Sequence, residues 1–159
     1  MRLPHLPLLA LLGLATLAAH PAQAQDVNSF RARHGRAPLH HDSFLTGLAY
    51  AHAADMARRG RLDHAGFHRE RAPLGARAEN VGYGCADEPC AILQWSRSAG
   101  HRAAMLRQDI SSYGLASVVS ASGRRYWAME LGGGGGVPVA ASKRKRAPKY
   151  LEATPRPRE

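Results

Sequence analysis

The chain has 159 residues, with 22 Lys and Arg against 12 Asp and Glu, a formal charge of +10 and a pI near 10.6. That length suits a single domain with one core, and two cysteines are too few for a disulfide-dense scaffold or a cysteine-built zinc site. Residues 137–159 alone contribute +5 of the charge, so the rest of the chain is moderately basic. Such a balance favours unspecific, salt-screened attraction to anionic surfaces rather than sequence-specific nucleic-acid binding.

The chain opens with Arg2, an apolar run over residues 6–19 and Ala22-Gln23-Ala24, the order of a cleavable secretory signal. Residues 1–24 are therefore expected to be removed, leaving a secreted protein, periplasmic or extracellular, without a transmembrane segment. Asp26 or Asn28 caps a first short helix, ended by the segment from Gly35 to Pro38. Asp42 or Ser43 caps a longer one. Leu45, Leu48, Ala49, His52 and Met56 recur on its apolar face at steps of three and four, and Gly60 stops it. His52 on that face reads as a hydrogen-bonded core residue, whereas His34, His40, His41 and His68 read as exposed.

Residues 61–84 mix charges with Gly and Pro and show neither helical nor strand periodicity, so they read as one long loop against the site. Cys85 and Cys90 form a local disulfide that pins a loop. Residues 88–98 read as a helix with Ile92 and Trp95 inward, Gly100 as a separator and residues 101–106 as a short helical turn. Residues 113–120 and 124–131 read as strands joined through Ser122-Gly123. Helices early and strands late give an α+β or layered architecture rather than repeated βαβ units. Residues 132–136 are a glycine hinge. From residue 137 the chain has too little apolar material to order, so a disordered basic tail is expected, with tethering to anionic envelope material as its possible use.

Trp95 to Leu106 follows the pattern W-x-x-S-x-G-H-R-x-x-M-L. Upstream stand Asn28 to Leu39 as N-x-x-R-x-x-x-G-x-x-P-L, an A-x-D-M-A segment at residues 53–57, Asp63-His64 and Ala78-Glu79-Asn80; downstream stands Tyr126-Trp127 before Gly132. This ordered set, over roughly residues 27–132, resembles the CAP superfamily, the SCP-like or PR-1-like secreted domains, in its bacterial form. The resemblance implies a three-layer α-β-α sandwich over residues 25–136. It also implies a cleft formed by His64, Glu79, Ser98 and His101.

Neutral imidazoles ligate zinc or copper, and a carboxylate beside them serves as ligand or general base. His64 and His101 are thus the metal-ligand candidates, with zinc or another divalent ion as the cofactor, and Glu79 is the candidate catalytic group. Many eukaryotic relatives place an acid where this chain has Ser98, so three strong ligands are the most it offers, which points to a labile site. The reading these residues favour over a functional metal site is that Glu79 accepts hydrogen bonds from one or both imidazoles and the trio satisfies itself, with any metal binding weak and incidental. A serine nucleophile at Ser98 lacks an oxyanion donor or elbow, and the residue reads instead as a cap for the turn carrying His101. Two functions follow: a binding module for a lipid, peptide, envelope polymer or protein partner, or a metal-assisted hydrolase using His64, His101 and Glu79. A purely structural envelope protein is a third.

Overall fold

The computed structural model describes residues 26–133; the expected leader, the segment after Gly133 and the basic tail lie outside them. The elements in order are α1 (Val27–Ala32), β1 (His40–His41), α2 (Ser43–Arg59), β2 (Ala76–Tyr83), α3 (Glu88–Ser96), α4 (Ala99–Met105), β3 (Ser112–Val119) and β4 (Arg125–Gly132). The strands form one sheet in the order β1-β3-β4-β2, with β2 antiparallel to β4, β3 antiparallel to β4 and β1 parallel to β3.

Strand alternation divides the core into two layers. Tyr126 and Ala128 of β4, with Val81 of β2, face α2 and pack on Ala49, Ala53, Met56 and Ala57. Trp127, Met129 and Leu131 face the other way, onto Val27 and Phe30 of α1, Ile92 and Trp95 of α3 and Met105 of α4. The result is the α-β-α sandwich the resemblance implies. Gly114 allows α2 to lie directly on β3, because a Cβ there would overlap the backbone of Leu45 and Thr46.

The caps of α2 fall where the sequence puts them. The Asp42 carboxylate accepts from the amides of Phe44 and Leu45, and Gly60 closes the helix in the left-handed region at φ 65°. Asp26 caps α1 in the same way. Cys85 and Cys90 are bonded, as expected.

Residues 61–84 are not one loop. Residues 67–74 make a π-helical turn followed by a 3-10 turn, and residues 76–83 are the strand β2. The alternation of β2 was obscured because both its faces are covered and one carries Glu79, the other Asn80, where apolar residues would have marked burial. Helix α4 also begins earlier than expected. Ser98 holds its N-cap position, so Gly100 lies in the first turn instead of separating two helices. The Ser98 hydroxyl makes no cap hydrogen bond, which corrects the capping role expected of it.

Candidate functional site

The site is built around two consecutive residues of β2, which is an edge strand of the sheet. Because successive side chains of a strand point to opposite faces, Glu79 turns toward α2 and Asn80 toward α4. Glu79 Oε1 lies 2.8 Å from His64 Nδ1, and Asn80 Nδ2 donates to the backbone carbonyl of His101 at 3.0 Å. One dipeptide thus positions one histidine by its ring and the other by its backbone.

A carboxylate only accepts, so His64 donates through Nδ1–H, and in the neutral ring the Nε2 lone pair is free. The backbone around His64 is held from both sides. Asp63 accepts from Arg59 Nη1 and Nη2 at 2.8 and 3.0 Å, and these bonds hold its carboxyl well below the usual range. The Asp63 carbonyl accepts from His52 Nε2–H at 2.8 Å. On the other side, Arg71 Nη1 donates to the Ala65 carbonyl at 2.9 Å. The His64 ring itself is more than half exposed.

Beneath the cleft lies a buried ionic group that the sequence reading missed. Arg71 Nε donates to Glu79 Oε2 at 2.8 Å, so both oxygens of Glu79 are engaged, one by His64 and one by Arg71. Glu130 of β4 stands directly opposite Glu79 in the sheet register and is fully buried, with Arg71 Nε 2.8 Å from its Oε1. That nitrogen's single proton points to Glu79, and neither Glu130 oxygen accepts a hydrogen bond. Burial first, and then the neighbouring Glu79 carboxylate, push the Glu130 carboxyl up to about 9. His52 Nε2 approaches Glu79 Oε2 at 3.7 Å. Burial lowers the pKa of His52, against the opposing pull of Glu79, so it is neutral at pH 7. His52 is therefore the hydrogen-bonded core residue expected from the sequence, and it also borders the site.

His101 is half-buried, and its pKa is lowered first by that burial and second by the nearness of His64. A zinc or copper ion tests the donor set. The free Nε2 of His64, with Nδ1 oriented by a carboxylate, is a ligand arrangement metals favour. Among the described residues, however, no group of three or more His, Cys, Asp or Glu converges to hold an ion. The geometry frees His64 Nε2 as one ligand nitrogen and supplies no closed four-ligand site. Ser98 adds at most a hydroxyl. Arg102 donates to the Ser96 carbonyl at 3.4 Å, a local contact as expected. Two hollows adjoin the site. One of about 290 Å³ lies between α2 and the segment 65–71, with His52, Asp55, Glu70 and Arg71 in its wall. The other, about 220 Å³, is lined by His64, Gly66, Phe67, His68 and Arg69.

A helix layer, a mixed four-stranded sheet and a second helix layer, with a His64–Glu79 pair at the sheet edge, define an α-β-α sandwich domain. The chain belongs to the cysteine-rich secretory protein family, CAP, whose profile matches residues 24–131. It is 31% identical over 97 residues to YlbC of Bacillus subtilis, described as an uncharacterized membrane protein; the match takes in 55% of this chain and 28% of that relative's length. An outer surface protein of Borrelia burgdorferi shares the fold, with a TM-score of 0.55 at 15% identity over 67% of this chain and 86% of that one. So does a cysteine-rich secretory protein of Staphylococcus aureus, with a TM-score of 0.51 at 23% identity over 67% and 36%.

Proposed function

We propose that this CAP domain is an exported binding module whose cleft of His64, Glu79, Ser98 and His101 takes up a ligand without transforming it. The observation that carries this reading is the engagement of both Glu79 oxygens, by His64 Nδ1 and by Arg71. A general base must present a lone pair to the proton it removes, and the Glu79 side chain, 1% exposed with its oxygens turned to His64 and Arg71, presents none to solvent. The hollow beside His64, lined by His64, His68, Arg69 and Phe67, suits an anionic group with an apolar portion. Among lipid, peptide, envelope polymer and protein partners, this lining favours anionic envelope material. Residues 1–24 serve as the export leader and residues 137–159 as a basic tail that adds salt-screened attraction.

Co-sedimentation of the mature chain with envelope fractions tests the reading, with wild type compared to His64→Ala plus His101→Ala. High salt removes the tail's contribution. Wild type retained at high salt and the double variant released is the expected result; equal retention of the two overturns it.

The second reading, a metal-assisted hydrolase, is favoured by one feature: the His64–Glu79 hydrogen bond leaves Nε2 free, as in carboxylate–histidine–metal arrangements. A zinc or copper ion there would supply Lewis acidity, with His64 and His101 holding it. Unchanged zinc-dependent hydrolysis of any substrate by His101→Ala would exclude this role.

A further inference from the structure

Glu130 is the most deeply buried ionisable group beside the cleft, and nothing in the binding reading uses it. It lies at 0% exposure on the α2-facing side of β4, paired across the sheet with Glu79. Directly opposed side chains on neighbouring strands are about 5 Å apart at Cβ, and like charges there repel. From α2 comes His52, neutral; from the turn before β2 comes Arg71; from β2 comes Glu79; and on β3 the residue opposite is Gly114, which adds no charge. Two carboxyls therefore share one guanidinium.

The hydrogen bonds say which carboxyl keeps the charge. Glu79 accepts from His64 and from Arg71, and accepted bonds favour the ionised form. Glu130 accepts none. An ionised, donorless carboxylate in a dry interior is strongly disfavoured, whereas a protonated one needs only an acceptor, and Glu79 is beside it.

We propose that Glu130 is a positioning residue of the cleft: as an uncharged carboxylic acid it donates its one hydrogen bond to Glu79 and keeps that carboxylate turned toward His64. The trio Arg71, Glu79 and Glu130 is then electrically neutral, with one positive charge, one negative charge and one proton. Glu79 reaches His64 from a fixed rotamer, and His64 presents Nε2 to the cleft. The upward shift of the Glu130 carboxyl, to about 9, agrees with this assignment. The proposal rests on His64 and Glu79 being the centre of the binding cleft.

Carboxyl-carbon NMR of the full chain from pH 5 to 8 tests it, with the Glu130 resonance assigned by its loss in Glu130→Gln. The expected spectrum keeps Glu130 at the protonated shift across that range; a carboxyl already ionised at pH 5 overturns the proposal. Imidazole nitrogen shifts at pH 8 supply the second readout. Glu130→Gln retains a neutral donor, so His64 keeps the Nδ1-protonated pattern, whereas Glu130→Leu loses it. An unchanged pattern in Glu130→Leu overturns the positioning role, and if that variant does not fold, the carboxyl spectrum of the wild type decides. Neither readout involves a ligand, so a failed envelope-binding experiment leaves these spectra as they are, and the two failures are distinguishable.

Discussion

Glu79 on β2 and Glu130 on β4 face each other across the sheet, on the side covered by α2 and beneath Arg71. The pair ties stability to pH. Glu130 keeps in the fold a proton that it loses in the unfolded chain above pH 4.5, because its carboxyl is raised to about 9. The native state therefore binds more protons than the unfolded state from about pH 4.5 to 9, and stability falls as pH rises through that window. His52 and His101, both lowered, act in the opposite sense, and only below their ordinary value of 6.5. Between pH 7 and 9 the Glu130 slope stands by itself, at most about 1.4 kcal/mol per pH unit. Urea unfolding at pH 7, 8 and 9 should show the decline in wild type and a flat profile in Glu130→Gln.

Arg71 is the cation serving both carboxyls, so its removal strands a buried charge. Arg71→Leu should cost about 3–5 kcal/mol, the usual range for breaking a buried ion pair from one side. Arg71→Lys should cost less but still weaken the His64 segment, because an ammonium cannot reproduce the fork that reaches both Glu79 and the Ala65 carbonyl. Denaturant midpoints with constant m-values check the first expectation. The His64–Glu79 proton resonance checks the second.

How much of this was legible in the sequence differs by element. Helix α2 was, because Leu45, Leu48, Ala49, His52 and Met56 keep one face and Asp42 and Gly60 mark its ends. His64, Glu79 and His101 were legible through the motif order. The His64–Glu79 contact was not, since the two come from a loop and an edge strand. Glu130 had a signal that went unread: at steps of two it shares a face with Tyr126 and Ala128, an apolar face on which an acid has to find a partner. Arg71 had none, because its role depends on a strand, β2, hidden by the polar pair Glu79-Asn80.

Arg31 should hold the helix that carries His101. Its buried guanidinium donates to the carbonyls of Met105, Arg107 and Ala37 at 2.6, 3.1 and 2.8 Å, gathering the C-terminal end of α4 and the turn after α1. Arg31→Ala leaves these carbonyls without donors and should cost about 3 kcal/mol. Amide exchange should rise in α4 before it rises in the strands.

The Cys85–Cys90 bridge closes a short ring, with a sequence separation of 5, so its loss should lower stability by only about 2 kcal/mol. Its local effect is on the strand connection, where the Cys85 carbonyl accepts from Trp127 Nε1 at 2.9 Å. Thermal unfolding of Cys85→Ser plus Cys90→Ser checks the magnitude, and Trp fluorescence checks the contact.

Calorimetric titration of zinc into the mature chain, wild type against His64→Ala plus His101→Ala, tests the cleft most directly. The free Nε2 of the exposed His64 ring, with His101 as a second ligand, should bind one exchangeable ion at micromolar affinity or weaker, and the double variant should lose it. Equal heats from both proteins, or tight binding that survives the double substitution, would contradict the account.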